Sequence, residues 1–261
     1  MLRPRIIPSL LIDQNLHLTK TTRFSDRRYL GDPLNAAYVY SGYEVDELLV
    51  LDIDASTFNR LIPLAFVDAL ARFTTVPLAV GGGIRKLSEI QSLLALGVER
   101  VILGGALTYD LAFLKDAAGR FGSSTISVLI NVLRKPDGSL YGYFGRDGQH
   151  LAEPLAELAR ACEIAGAGEV IVYDVDREGT RVGYDLSLYT ALNDILTVPL
   201  VALGGCGDVQ DIQELIDATH VSGVAAGSLF VYAPNSHEVL LNYPHRSSAI
   251  RQRLECGRGN Q

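Results

Sequence analysis

The chain carries little that could be cross-linked, inserted into a membrane or laid along a nucleic acid. Its three cysteines, Cys162, Cys206 and Cys256, are odd in number and widely spaced. That excludes a disulfide framework and a zinc-ligand pattern, and it suits a reducing compartment. Long apolar runs are missing too. The N-terminal stretch Ile6 to Ile12 is interrupted by Pro8 and Ser9 and ends at Asp13, too short and poorly flanked for a signal peptide or a membrane span. A cytoplasmic protein without membrane contact is the expectation. The net charge of −7 contains no long run of one sign, which argues against a nucleic-acid surface. The local cluster Arg23, Arg27 and Arg28 still leaves room for contact with a phosphate. His17, His150, His220, His237 and His245 lack metal-ligand spacing, and the three acids between Asp174 and Thr180 have no histidine or fourth ligand beside them. Neither a metal nor a cofactor is expected.

What is present is a repeat. Asp52 and Asp54 recur 122 residues later as Asp174 and Asp176. Val76-Pro77-Leu78 recurs at the same offset as Val198-Pro199-Leu200, Gly82-Gly83 as Gly204-Gly205, Glu47 as Glu169 and Gly105 as Gly227. Agreement of several units on one spacing marks an internal duplication. With 261 residues and 48% hydrophobic content, the chain can bury one large core. It reads as a single domain over 1–261, with half-barrels at about 1–122 and 123–245 and a tail after Ala233 that frames a last helix and then frays.

Eight short apolar runs alternate with helical patterns. The strands are predicted at Ile6 to Ile12, Glu47 to Ile53, Leu78 to Val80, Arg100 to Leu103, Thr125 to Val132, Glu169 to Asp174, Leu200 to Leu203 and Gly223 to Ala226. Their near-continuous hydrophobicity fits a parallel sheet covered on both faces. Intervening segments show helical spacing, as in Leu155, Leu158, Ala159 and Cys162. The pattern predicts an α/β fold, a (β/α)8 TIM barrel of two four-unit halves. A doubly wound open sheet is the alternative. Lys135 to Gly138 and Arg146-Asp147-Gly148 read as a β-hairpin insert after the fifth strand, with Tyr141, Tyr143 and Phe144 packing it.

Glycines at strand ends supply candidate phosphate sites. Gly82-Gly83 and Gly104-Gly105 in the first half, with Gly204-Gly205 and Gly227-Ser228 in the second, place bare backbone at the C-terminal rim, where barrels bind phosphate. Two cradles across one mouth imply a small molecule with a phosphate at each end. The competing reading is that these glycines only make tight turns.

Several motifs then carry a resemblance over essentially the whole chain. Gly31-Asp32-Pro33, Leu51-Asp52-Ile53, Val80-Gly81-Gly82-Gly83-Ile84, and Asp176-Arg177-Glu178-Gly179-Thr180 with Gly183-Tyr184-Asp185 resemble the HisF family. That family supplies the cyclase subunit of imidazole glycerol phosphate synthase. The resemblance implies a barrel that takes ammonia from a HisH-like glutaminase docked at its N-terminal face and uses it at the opposite mouth. Lys20 and Asp52 match family substrate contacts, and Asp176 joins them in the binding set. Arg5, Glu47, Arg100 and Glu169 match an ionic gate for ammonia.

Two departures follow. The family's two catalytic aspartates fall here on Leu11 and Asn131, and neither side chain exchanges protons near neutral pH. General acid and base groups each contribute typically ~10²–10⁴ in rate, so little cyclase activity is expected. Asp13, two residues beyond Leu11 on the same side of the strand, is the one candidate replacement. Tyr173 and Leu203 stand where the family has smaller polar residues. A subfamily with leucine at the first position, in a motif resembling Arg5-Ile6-Ile7-Pro8-Ser9-Leu10-Leu11, is associated with acetamidino modification of sugars for surface polysaccharides. On that resemblance the partners are a glutaminase and a third, sugar-modifying amidotransferase.

Overall fold

Short Val-, Ile- and Leu-rich runs become buried parallel strands because both of their faces are covered, one by the opposite strands and one by helices. The computed structural model describes residues 3–105, 110–144, 149–234 and 236–243. The expected turn at Arg146-Asp147-Gly148 and the end of the tail, with Cys256, lie outside the described residues. The first half runs β1 (Arg5–Ile12), β2 (Leu18–Thr22), β3 (Ser25–Gly31), α1 (Pro33–Gly42), β4 (Leu48–Asp52), α2 (Leu64–Phe73), β5 (Leu78–Gly81), α3 (Leu87–Ala95), β6 (Arg100–Leu103) and α4 (Leu111–Phe121). The second half runs β7 (Ile126–Arg134), β8 (Leu140–Phe144), β9 (Gln149–Pro154), α5 (Leu155–Ile164), β10 (Glu169–Asp174), α6 (Leu186–Asn193), β11 (Leu200–Leu203), α7 (Val209–Ala218), β12 (Gly223–Ala226) and α8 (Ser228–Val231).

Eight of these strands close on themselves. β1 pairs in parallel with β4 and β12, and β7 pairs with β10 from Ser127↔Glu169 to Val132↔Asp174. That last ladder completes a (β/α)8 barrel and excludes the open sheet. Strand alternation sorts the side chains into two cores. Ile7, Leu11, Leu51, Ile171, Tyr173 and Leu203 belong to the cluster inside the barrel. Ile6, Leu10, Val50, Val80 and Val172 face the helices in the larger outer core.

The hairpin predicted after the fifth strand is β8 and β9, with β8 antiparallel to β7 and β9 antiparallel to β8. A second hairpin, β2 and β3, follows the first strand and was not predicted. Helix starts explain two of the family motifs. Asp32 caps α1 by accepting from the Leu34 amide, with Pro33 in the first turn, and Asp185 caps α6 through Leu188. The expected last helix is only the single turn α8. The chain then returns along the barrel as far as Tyr243, whose ring stacks on Tyr43 and whose hydroxyl donates to the Ile6 carbonyl at 3.3 Å.

The glycines at the strand ends answer a packing need. A Cβ on Gly82 would lie 2.7 Å from Asp52 Cβ, and one on Gly204 would lie 2.6 Å from the Asp174 carbonyl oxygen. On Gly83 it would meet the Arg60 carbonyl at 1.8 Å, and on Gly205 the Gly183 carbonyl at 2.2 Å. Each half therefore brings backbone against backbone at the same place, in conformations with positive φ. Gly83→Ala is expected to cost about 3 kcal/mol or more. Gly97, at φ +90° with nothing within 4 Å of its Cβ position, pays conformational strain alone, about 1–2 kcal/mol as alanine. Urea midpoints of the two variants test this, and equal losses would refute the close-approach argument.

Candidate functional site

At the N-terminal end of the barrel, charges enclosed by the strands have to satisfy one another. The Arg5 guanidinium bridges Glu47 and Glu169, Arg100 donates to Glu47 at 2.8 Å, and the Ser127 hydroxyl donates to Glu169 at 3.1 Å. Glu47 and Glu169 are 3% and 4% exposed, a depth at which carboxylates persist only when paired. Burial works against the Arg5 cation, yet Glu169 and Glu47 outweigh it and hold the guanidinium pKa above its ordinary value. Burial pushes the Glu47 carboxyl up, against the pull of Arg5 and Arg100. The four residues singled out in the sequence thus come together in one cluster.

Above this layer the interior is lined by apolar side chains. Ile7, Leu49, Ala79, Ile102, Ile171 and Val201 fill it. Ser9, on the inner face between Ile7 and Leu11, is 3% exposed, and its hydroxyl has no hydrogen-bond partner among the described residues. Leu11 is 1% exposed within the same cluster, and Asn131 lies opposite Tyr173 in the β7–β10 ladder. Tyr173 and Leu203 are both buried in the same inner cluster. Phe24, at the tip of the β2–β3 hairpin, lies edge-on to Tyr173 at 5.1 Å between ring centroids.

Asp13 does not face this mouth. Its carboxylate accepts from the Asn15 and His17 amides, both at 2.9 Å, and so closes the turn between β1 and β2. The side chain is spent on that turn.

The unpredicted hairpin is tied to both halves of the rim. Arg27 forms a two-pronged pair with Asp54 at 2.6 Å, and Lys20 donates to Glu178 at 3.0 Å. Glu178, 1% exposed, also accepts from the Thr21 hydroxyl at 3.0 Å and from Tyr173. Although burial opposes it, Arg27 holds the Asp54 carboxyl below the usual range. Arg23 donates to the Asp176 carbonyl at 3.1 Å, and Asp176 accepts from the Arg134 amide at 2.9 Å. Asp52 takes Arg60 at 2.6 Å, its pKa raised by burial. Glu178 and Arg60 carried no spacing signal in the sequence. Glu178 stood in the sequence only as one letter of a quoted motif, and the contacts give both residues their parts.

Of the proposed cradles, Gly82, Gly83, Gly204 and Gly205 present their Cα faces to neighbouring backbone, while Gly104 is open, its nearest neighbour the Leu129 carbonyl at 3.7 Å. Gly227 faces Lys20, whose Nζ would lie 2.7 Å from an added Cβ, and leads into Ser228 at the start of α8. Gly105 directly follows Gly104 at the end of β6. The described residues contain no cluster of three or more potential metal ligands and no helix long and apolar enough to cross a membrane. Cys162 and Cys206 are buried free thiols.

Comparison with known proteins places this geometry. The family model described as histidine biosynthesis protein matches residues 5–235. A protein of Leptospira borgpetersenii, provisionally named imidazole glycerol phosphate synthase subunit HisF, is 38% identical over 94% of this chain and 96% of its own. The provisionally named subunit hisF2 of Pseudomonas aeruginosa is 37% identical over 94% and 97%. The imidazole glycerol phosphate synthase subunit HisF of Lactococcus lactis subsp. cremoris (strain MG1363) is 35% identical over 89% and 90%.

Asp174, under Gly204 at the rim, gives a pH test. Burial raises its pKa to about 6, outweighing the Arg177 amide and the more distant Arg177 cation. A carboxyl raised in the folded state lends stability below its unfolded pKa and loses it as pH climbs through the folded value. Relative to the wild type, Asp174→Asn should therefore gain stability between pH 4 and pH 7, by up to about 3 kcal/mol. Urea unfolding of both proteins at the two pH values measures it, and a pH-independent difference would contradict the assignment.

Proposed function

We propose, from the premise that the chain belongs to the histidine biosynthesis protein family as a HisF-type subunit, that it conducts ammonia within a glutamine-dependent synthase complex and does not itself close a ring. A HisH-like glutaminase docks over the N-terminal mouth. Ammonia enters past Arg5, Glu47, Arg100 and Glu169, a cluster with two charges of each sign that one swinging side chain can open. Arginine at 100 gives a more rigid pair than an ammonium would. The apolar interior admits neutral ammonia and rejects ammonium, because an unpaired cation there pays full desolvation. The Ser9 hydroxyl offers one hydrogen-bonding stop on the way.

The observation that carries this reading is the inner column of the barrel. It is charged at the bottom, holds a lone hydroxyl midway, and has Leu11 and Asn131 where proton transfer at the mouth requires acids. A phosphorylated small molecule is bound at the rim, with Lys20, Asp52 and Asp176 beside the glycine turns. The finer reading assigns the ammonia to acetamidino modification of a sugar through a third, sugar-modifying amidotransferase, on the strength of the Arg5 to Leu11 motif. The names of the relatives favour a second reading, the cyclase subunit of histidine biosynthesis.

Supplying the phosphoribulosyl-formimino intermediate with ammonium salts separates the two. Conduction without ring closure predicts consumption at least ~10⁴-fold below an ordinary cyclase, since two proton-transfer groups are replaced. Turnover at a cyclase rate, abolished by Asp13→Asn, would establish the second reading. In either case a HisH-type glutaminase should hydrolyse glutamine faster with the chain present, and less so with Arg5→Ala.

A further inference from the structure

The inner column meets paired charges at its lower end and an aromatic ring at its upper end. That ring belongs to Phe24, and the backbone that carries it is held in an unfavourable conformation. Arg23, Phe24 and Asp26, around the tip of the β2–β3 hairpin, have φ of +53°, +60° and +44°, a region that residues with a Cβ seldom occupy. None of the three is glycine. Strained backbone of this kind persists only where the surroundings over-determine it.

Glu178 supplies much of that restraint. Its carboxylate, 1% exposed, accepts from Lys20 Nζ and the Thr21 hydroxyl, both at 3.0 Å, and from the Phe24 amide at 3.5 Å. Its carbonyl accepts from the Arg23 amide at 3.0 Å. The Tyr173 hydroxyl donates to the same carboxylate. One acid from the second half of the chain therefore ties together the hairpin of the first half and a ring inside the barrel. So held, Phe24 lies edge-on to Tyr173 at 5.1 Å and tilted against Tyr143 of β8 at 6.1 Å between ring centroids. It packs on the inner cluster that contains Leu11 and Leu203.

We propose that Phe24 is the stopper of the column: seated on Tyr173, it closes the upper end, and release from the column waits for the hairpin to lift against the hold of Glu178. The proposal rests on the conduction reading and deepens it by naming the step that regulates release. Tyr173 provides the seat, a large ring where the HisF family has a smaller polar residue. Lifting takes the Phe24 ring off apolar surface and parts Lys20 and Thr21 from a buried carboxylate, so the closed state is favoured. A ligand or partner that binds the lifted hairpin better shifts the balance toward opening.

Leu11, 1% exposed in the inner cluster, is the place to measure access from above. The full chain carrying Leu11→Cys is treated with methyl methanethiosulfonate, and modification is followed by mass spectrometry of its peptides. The buried thiols Cys162 and Cys206 serve as internal controls. Adding Phe24→Ala should speed modification at position 11 about tenfold or more while leaving Cys162 and Cys206 unchanged. Phe24→Leu, which refills part of the volume, should fall between. Glu178→Gln keeps the size but gives up the charge that holds Lys20, and it should speed modification as well. Equal rates at position 11 with and without Phe24→Ala overturn the proposal, and so does an acceleration shared by Cys162 and Cys206, which reports a general loosening of the fold. The measurement involves no glutaminase. Access that depends on Phe24 without any stimulation of a glutaminase would leave the stopper standing and remove the conduction reading, and the reverse pair of results would remove the stopper alone.

Discussion

A side chain on the inner face of a closed eight-stranded barrel can reach water only through the two mouths, and every other feature of this protein answers to that enclosure. Closure by the β7–β10 ladder makes the interior an enclosed column, in which a polar group must find its partner among residues of other strands. At the bottom Arg5 solves this by spanning the barrel from Glu47 to Glu169, Arg100 shares the Glu47 Oε2 with it, and Ser127 takes the other oxygen of Glu169. In the middle the solution is to have almost nothing polar. At the top Tyr173 sends its hydroxyl out of the column to Glu178, so even the largest inward group is satisfied at the rim.

The duplication repeats as contacts, not only as letters. Gly82 sits over Asp52 and Gly204 over Asp174, each pair 122 residues from its counterpart, and Gly83 and Gly205 each press on a loop carbonyl. The equivalent acids Asp54 and Asp176 flank the β2–β3 hairpin on opposite sides, one holding Arg27 and the other meeting Arg23 through its carbonyl. A single hairpin from the first half thereby spans a mouth whose two sides are copies. The acids that recur in the sequence serve mainly to anchor loops, and only their position at the rim makes them neighbours of a ligand.

Regular structure was legible because strand burial leaves a direct trace: all eight barrel strands fall within two residues of their expected ends, and the turn from β7 into β8 was announced by Pro136, Asp137 and Gly138. The β2–β3 hairpin was not. Its turn places Arg23 and Phe24 at positive φ, a conformation normally signalled by glycine or asparagine, and the run Thr21-Thr22-Arg23-Phe24-Ser25 contains neither. The conformation is imposed from outside, by Glu178 and by the ring of Tyr173. The glycine turns show the opposite gap. Their locations were plain, but whether a glycine admits a ligand or its own backbone depends on what lies across from it, and that is a property of packing. The charged cluster at the bottom was legible only through a resemblance, since Glu47 and Glu169 share a spacing while Arg5 and Arg100 do not.

The contrast between paired charges at the bottom of the barrel and apolar side chains near its top has a purely energetic component. Removing one member of a buried, mutually paired set strands the others and costs about 3–5 kcal/mol, so Arg5, Glu47 and Glu169 resist substitution whatever passes between them. An acid at position 11 would face Tyr173 and Leu203 in an apolar cluster, where leucine packs without desolvation cost. Stability alone thus favours the split observed in this chain. What stability does not favour is the Ser9 hydroxyl enclosed without a partner, or the Arg181 guanidinium folded onto Tyr232 with a buried amino group unmet. Each is a polar group that its surroundings leave unmet, the kind of cost that stability alone would remove by a simple substitution.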